Sequence, residues 1–188
     1  NVSKKFPALI RDRKEILILG SAGQRIVTAG EVLCYAGLTA GLQATQKNDY
    51  PITVLRGHSA CEVILSPHTI DYTGITVPDV ILALGQEGID RKKALFNACG
   101  ENTLVLVDSK AEIPDCRGTI LPLDFKERKI KRQDMAMVAL CLLAHREELI
   151  NPDMLEAVVK SSGLQDLVRT VQPLSSTSTS PSTSAATR

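Results

Sequence analysis

The chain has 188 residues, of which 44% are hydrophobic and only 3% aromatic, with no Trp and a formal net charge of +1. This length and composition fit one α/β domain with an aliphatic core, and the balanced charge excludes the concentrated basic stripe of a nucleic-acid surface. No apolar run approaches the roughly 20 residues that span a bilayer, and no secretory leader precedes a small-residue cleavage site, so the chain reads as cytoplasmic with no membrane partner.

Residues 1–13 form a charged N-terminal extension that begins with Asn rather than Met, as in a chain processed or cut from something longer. An α/β domain is expected over 14–172. It opens with a strand at Ile16–Gly20, a small-residue turn and a helix over Gln24–Gly41. Gln43–Gln46 and Ile52–Leu55 read as extended pieces around an irregular loop, and Ala60–Ser66 as a strand at or near a sheet edge. Asp79–Leu84 and Thr103–Asp108 are continuous apolar runs, the pattern of buried strands. A helix is predicted between them at Glu87–Ala98. A short strand at Thr119–Leu123, an apolar helix at Met135–Arg146 and a helix at Asp153–Lys160 follow, the last behind Asn151-Pro152.

Strands separated by helices imply parallel pairing, but Gln43–Ser66 holds extended pieces with no helix between them. The fold class predicted is therefore a Rossmann-like three-layer α/β domain with a mixed, mostly parallel sheet. The segment 173–188 is rich in Ser and Thr and has nothing to bury, so it reads as a disordered tail or linker.

The turn Gly20-Ser21-Ala22-Gly23-Gln24-Arg25 lies where a Rossmann domain would carry Gly-x-Gly-x-x-Gly. Ala22 and Arg25 occupy the second and third glycine positions, and no Gly-Lys-Ser/Thr of a P-loop is present. A free dinucleotide is therefore not expected. The five cysteines, at 34, 61, 99, 116 and 141, include no Cys-x-x-Cys pair. They read as small buried hydrophobes in a reducing compartment rather than as cluster or zinc ligands.

Three segments resemble the gamma subunit, or gamma domain, of the 2-oxoacid:ferredoxin oxidoreductases. The first is the turn just described, where that family typically reads Gly-x-Gly-Gly-Gln-Gly before an apolar helix. The second is Tyr50-Pro51-Ile52-Thr53-Val54-Leu55-Arg56-Gly57-His58-Ser59 and the strand Glu62–Ser66, similar to Tyr-Gly-x-x-x-Arg-Gly-Gly-x-Ser and its strand. The third is Pro78–Leu84, similar to Asp-Val-Leu-Ile-Ala-Leu. Order and spacing agree from about Lys14 to Gly163. Ala22, Arg25 and His58 stand where the family has glycine, and Pro51 where glycine is usual.

The resemblance implies one component of an enzyme that oxidatively decarboxylates a 2-oxoacid to an acyl-CoA and passes electrons to ferredoxin. It implies no cofactor held by this chain. Thiamine diphosphate, Mg and iron–sulfur clusters would lie on alpha, beta and ferredoxin-type partners, with this chain near the coenzyme A side. The sequence agrees in lacking the Gly-Asp-Gly…Asn run that binds metal and diphosphate. Two other readings stay open: a free-standing Rossmann-like nucleotide binder, and a scaffold module.

The candidate cofactor-binding or interface residues are Arg56, Gly57 and His58 in one loop and Gly23, Gln24 and Arg25 in the other. No catalytic residue and no metal ligand is assigned. Arg56 suits an anion such as a CoA phosphate or a partner carboxylate, or else braces its loop. Gln24 reads as loop packing onto a neighbouring subunit, while for Arg25 both that role and contact with an anion at the helix start stay open. His58, with no carboxylate–nucleophile set beside it in sequence, reads as structural or interfacial, with proton shuttling or CoA contact as the alternative. Asp108 closes a strand, either starting a turn or meeting a ligand at the sheet edge. Lys126–Arg132 is the most basic stretch and reads as a solvated loop or partner contact.

Overall fold

A computed structural model describes residues 3–52 and 56–161. Its strands are β1 (Lys14–Ser21), β2 (Gln43–Asp49), β3 (His58–Ser66), β4 (Val80–Ala83), β5 (Leu104–Asp108) and β6 (Thr119–Leu123). They form one sheet in the order β2-β3-β1-β4-β5-β6. β1, β4, β5 and β6 run parallel, whereas β3 is antiparallel to both β1 and β2. The antiparallel pairing falls on the helix-free segment, because a chain without a crossover helix can return only as a hairpin. The predicted mixed sheet is therefore present. Of the piece Ile52–Leu55, Ile52 lies in a bend and 53–55 are outside the described residues.

Alternation along each strand sends side chains into two cores. Ile16, Ile18, Val63, Leu65, Leu82 and Leu106 pack under α1 (Ile26–Thr39), α3 (Met135–His145) and α4 (Pro152–Ser161). Leu17, Leu19, Ala60, Ile81, Val105 and Val107 pack on the opposite face with Ile89 and Phe96. That second layer consists of α2 (Gln86–Arg91) and a 3-10 segment at Lys93–Ala98. Covered on both faces, β3 is buried over nearly its whole length and lies one strand in from the edge.

The helix expected over Glu87–Ala98 is thus two pieces, broken at Lys92. Gly88 explains how closely α2 approaches β1: a Cβ there would collide with the backbone N and O of Gly20. Past the break, Phe96 reaches full burial, while Lys92 turns outward to ion pairs with Asp49 and Glu62. At α4, Asn151 Oδ1 accepts the Met154 N–H at 3.0 Å, and Pro152 occupies the first helical position, where a missing N–H does no harm.

Residues 5, 6 and 10, before β1, pack on the domain. The N–H groups of Lys5 and Phe6 donate to the Thr39 carbonyl, and Ile10 is buried in the larger core. The segment 173–188 lies outside the described residues. Among the described residues no helix is long and apolar enough to cross a membrane.

Candidate functional site

The two loops singled out in the sequence meet at one end of the sheet. Ser21 ends β1 and His58 begins β3, and the two are partners in the antiparallel register. The Ala22 N–H donates to the Gly57 carbonyl at 2.9 Å, tying Gly23–Arg25 to Arg56–His58. Gly57 (φ +99°) and Gly23 (φ +87°) both occupy the left-handed region that their turns require.

Within the first loop each residue has a distinct place. Gln24 is buried; its Oε1 accepts the Ser21 N–H at 2.7 Å and its Nε2 donates to the Leu84 carbonyl at 2.8 Å. It closes the gap between the ends of β1 and β4. Arg25 caps the start of α1 in the left-handed region, at φ 55° and ψ 37°, and is half-buried. A glycine would take that backbone conformation without the Cβ clash.

In the second loop Arg56 is exposed and makes no ion pair with another described residue. His58 does have a carboxylate beside it: its Nε2 lies 3.1 Å from Asp49 Oδ1. The two are nine positions apart in sequence, and the β2–β3 hairpin brings them together. Arg91 Nε sits 3.1 Å from Asp49 Oδ2 and Lys92 Nζ 3.4 Å from the same oxygen. The hydrogen bond from His58, followed by those from Arg91 and Lys92, outweighs burial and lowers the Asp49 pKa to about 2.

Beside these loops lies a cleft of about 440 Å³ at the carboxyl ends of β1, β4 and β5. From β1 the chain turns toward β2 on one side of the sheet, and from β4 toward β5 on the other. This is the switch point at which open α/β sheets bind ligands. Ser21 and Gln24 wall the cleft after β1, Leu84–Glu87 after β4, and Asp108, Lys110 and Ala111 after β5. Phe125, Lys126, Ile130, Arg132 and Met135 close the remaining side. The Ser21 hydroxyl donates to Glu87 Oε2. That bond, with the backbone N–H of Glu87 and the nearby Arg132, holds the Glu87 pKa below the ordinary carboxylate value.

Asp108 starts a turn, its Oδ1 accepting the Lys110 N–H at 3.3 Å, and it lines the cleft. Lys110 and Lys126 enter the site without having been singled out individually. The signal that points to Lys110 is its position just past a buried parallel strand. Lys126, Ile130 and Arg132 belong to the basic stretch, the rest of which is exposed to solvent.

Among the described residues no group of three or more His, Cys, Asp or Glu is placed to hold a metal ion. Cys61 and Cys141 are buried among apolar side chains, and burial pushes both thiols up to about 12.

A Rossmann-like sheet with an antiparallel hairpin at one end and a cleft at its switch point defines the class. The chain belongs to the pyruvate ferredoxin/flavodoxin oxidoreductase family, which it matches over residues 15–178. It is similar to the 2-oxoglutarate synthase subunit KorC of Methanocaldococcus jannaschii, with 28% identity over 162 residues covering 81% of this chain and 85% of the relative. A stronger but shorter match, 39% over 82 residues, links it to the KorC subunit of Methanothermobacter thermautotrophicus and spans 43% of each chain. In fold it is similar to the gamma subunit of a keto/oxoacid ferredoxin oxidoreductase from Geobacter sulfurreducens, with a TM-score of 0.68 and 27% identity, covering 85% of this chain and 91% of that one.

Proposed function

We propose that the chain is the gamma component, as a subunit or a domain, of an enzyme that oxidatively decarboxylates a 2-oxoacid to an acyl-CoA and reduces ferredoxin. The observation that carries this reading is the match along most of the chain to a 2-oxoglutarate synthase subunit, which makes 2-oxoglutarate the first substrate to test. Thiamine diphosphate, Mg and the iron–sulfur clusters are assigned to alpha, beta and ferredoxin-type partners in the cytoplasm. The present chain supports assembly and the coenzyme A side of the site.

On that side Arg56 supplies an exposed guanidinium whose fork suits a phosphate, with Gly57 and His58 setting its turn. Gly23, Gln24 and Arg25 form the facing loop, in which Gln24 acts as the brace. Lys110, Lys126 and Arg132 add positive charge along the same sheet edge. Coenzyme A, when present, supplies the thiol that takes the acyl group. The chain's own residues bind and orient the anionic part of that molecule.

The test is to assemble the enzyme with and without this chain and follow the 2-oxoglutarate- and CoA-dependent reduction of a viologen dye. Omission is expected to abolish the reaction or the complex. In the complete enzyme Arg56→Ala is expected to raise the apparent KM for CoA about tenfold, the equivalent of roughly 1.5 kcal/mol for one charge-assisted contact, with little effect on the KM for the 2-oxoacid. Full activity without the chain would overturn the proposal. An unchanged CoA dependence in Arg56→Ala would reduce Arg56 to a loop residue.

A further inference from the structure

The turn that carries Arg56 is held from beneath by a single carboxylate. Asp49 is the last residue of β2 and His58 the first of β3; Asp49 pairs across the hairpin with Ala60, and its side chain reaches His58 two residues earlier on β3. One oxygen of Asp49 meets His58 Nε2 at 3.1 Å; the other meets Arg91 Nε at 3.1 Å and Lys92 Nζ at 3.4 Å. Lys92 continues to Glu62 Oε1 on β3 at 3.0 Å. Arg91 ends α2, the helix whose first residues, Gln86 and Glu87, wall the cleft. Asp49 therefore joins the base of the hairpin to the helix at the ligand edge.

Two further described residues beside Arg56 are held in place. The Gly57 carbonyl is fixed by the Ala22 N–H at 2.9 Å, and the His58 ring by Asp49. The guanidinium of Arg56, one residue before Gly57, has no acidic partner among the described residues. Attachments at Gly57 and His58, next to a cation with no acidic partner among the described residues, are the arrangement expected of a group held ready for a ligand, since positioning it in advance lowers the entropy loss on binding.

We propose that Asp49 is a positioning residue: through His58 and the end of α2 it sets the Arg56 turn and acts on coenzyme A only by way of Arg56. This rests on the reading of Arg56 as the anion contact on the CoA side. Asp49 does not touch the ligand itself.

The experiment uses the assembled enzyme with Asp49→Asn, Arg56→Ala and the double substitution. Asp49→Asn is expected to raise the apparent KM for CoA at least threefold while kcat and the KM for the 2-oxoacid stay within twofold. Added to Arg56→Ala, it is expected to change the CoA dependence by less than 1.5-fold. Hydrogen exchange in the same complexes gives a readout independent of turnover: the Ala22 amide is expected to exchange at least fivefold faster in Asp49→Asn. An unchanged CoA dependence in the single variant, an equal fold-change in both backgrounds, or unchanged exchange at Ala22 would each overturn the proposal. If Asp49→Asn fails to assemble, His58→Ala is read in the same way. Wild-type CoA dependence in Arg56→Ala would defeat the assignment of Arg56 instead, and the exchange measurement still decides whether Asp49 holds the turn.

Discussion

Gln24 donates its side-chain N–H to the Leu84 carbonyl at 2.8 Å while accepting the Ser21 N–H at 2.7 Å, so one buried amide bridges the ends of β1 and β4. Gln24→Ala leaves the buried Ser21 N–H and Leu84 carbonyl without their partner. The expected loss is about 2–4 kcal/mol, the sum of two unsatisfied groups. Urea unfolding of the chain measures it, and a midpoint within error of wild type would mean that the loop rearranges at no cost.

Gly88 tests the packing of α2 on β1. Alanine raises helix propensity by roughly 1 kcal/mol. Here, however, the added methyl collides with the backbone of Gly20, which cannot turn aside as a side chain would. Gly88→Ala is expected to destabilise by about 2 kcal/mol or more, as overpacking does when the neighbour is fixed. Thermal unfolding reads the difference, and a raised melting temperature would contradict the geometry.

The ion-paired state of Asp49 predicts an acid limb. Its pKa falls from an ordinary 3.8 in the unfolded chain to about 2 in the folded one, so the folded state binds fewer protons. The stabilisation is complete above the unfolded value and disappears as pH falls from near 4 toward 2. Asp49→Asn is expected to lower stability at pH 7 and to flatten the decline across that window. Urea midpoints for both proteins from pH 7 to pH 2.5 decide this; parallel curves would show that Asp49 gains nothing from its partners.

Thiol chemistry reports on the cores. Cys61 and Cys141 are buried, and desolvation pushes both up to about 12, so little thiolate exists at pH 8. In the native protein both are expected to react with iodoacetamide roughly a hundredfold or more slowly than in urea. Peptide mass mapping gives each rate, and prompt native labelling at Cys61 would mean that β3 opens readily.

Much of the architecture was legible in the sequence because apolar runs and their spacing carry it. Val80–Ala83 and Leu104–Asp108 are buried strands, as their continuous apolar character requires, and the helix-free stretch before Ser66 became the antiparallel hairpin. The break at Lys92 was not legible, because it answers to partners far away in sequence, Asp49 and Glu62, and to the burial of Phe96. At the site, the two turns were visible as local small-residue patterns. The Asp49–His58 pair and the cleft lysines were not, since hairpin register and strand order bring those residues to one edge. Gln24 shows the same division: its place in the turn was readable, but the carbonyl it holds, sixty residues on, belongs to the fold.

The reversed direction of β3 has a consequence for how this edge can change. In the parallel half of the sheet, chain at the ligand edge runs on from the end of a strand into its crossover. The hairpin instead brings the beginning of a strand to that same edge, so residues between Asp49 and His58 can lengthen, shorten or change character while β1, β4, β5 and β6 keep their register. The fold thus separates an adaptable rim, which carries Arg56, from the frame that supports it, and differences in what such subunits meet at this edge are expected to accumulate there first.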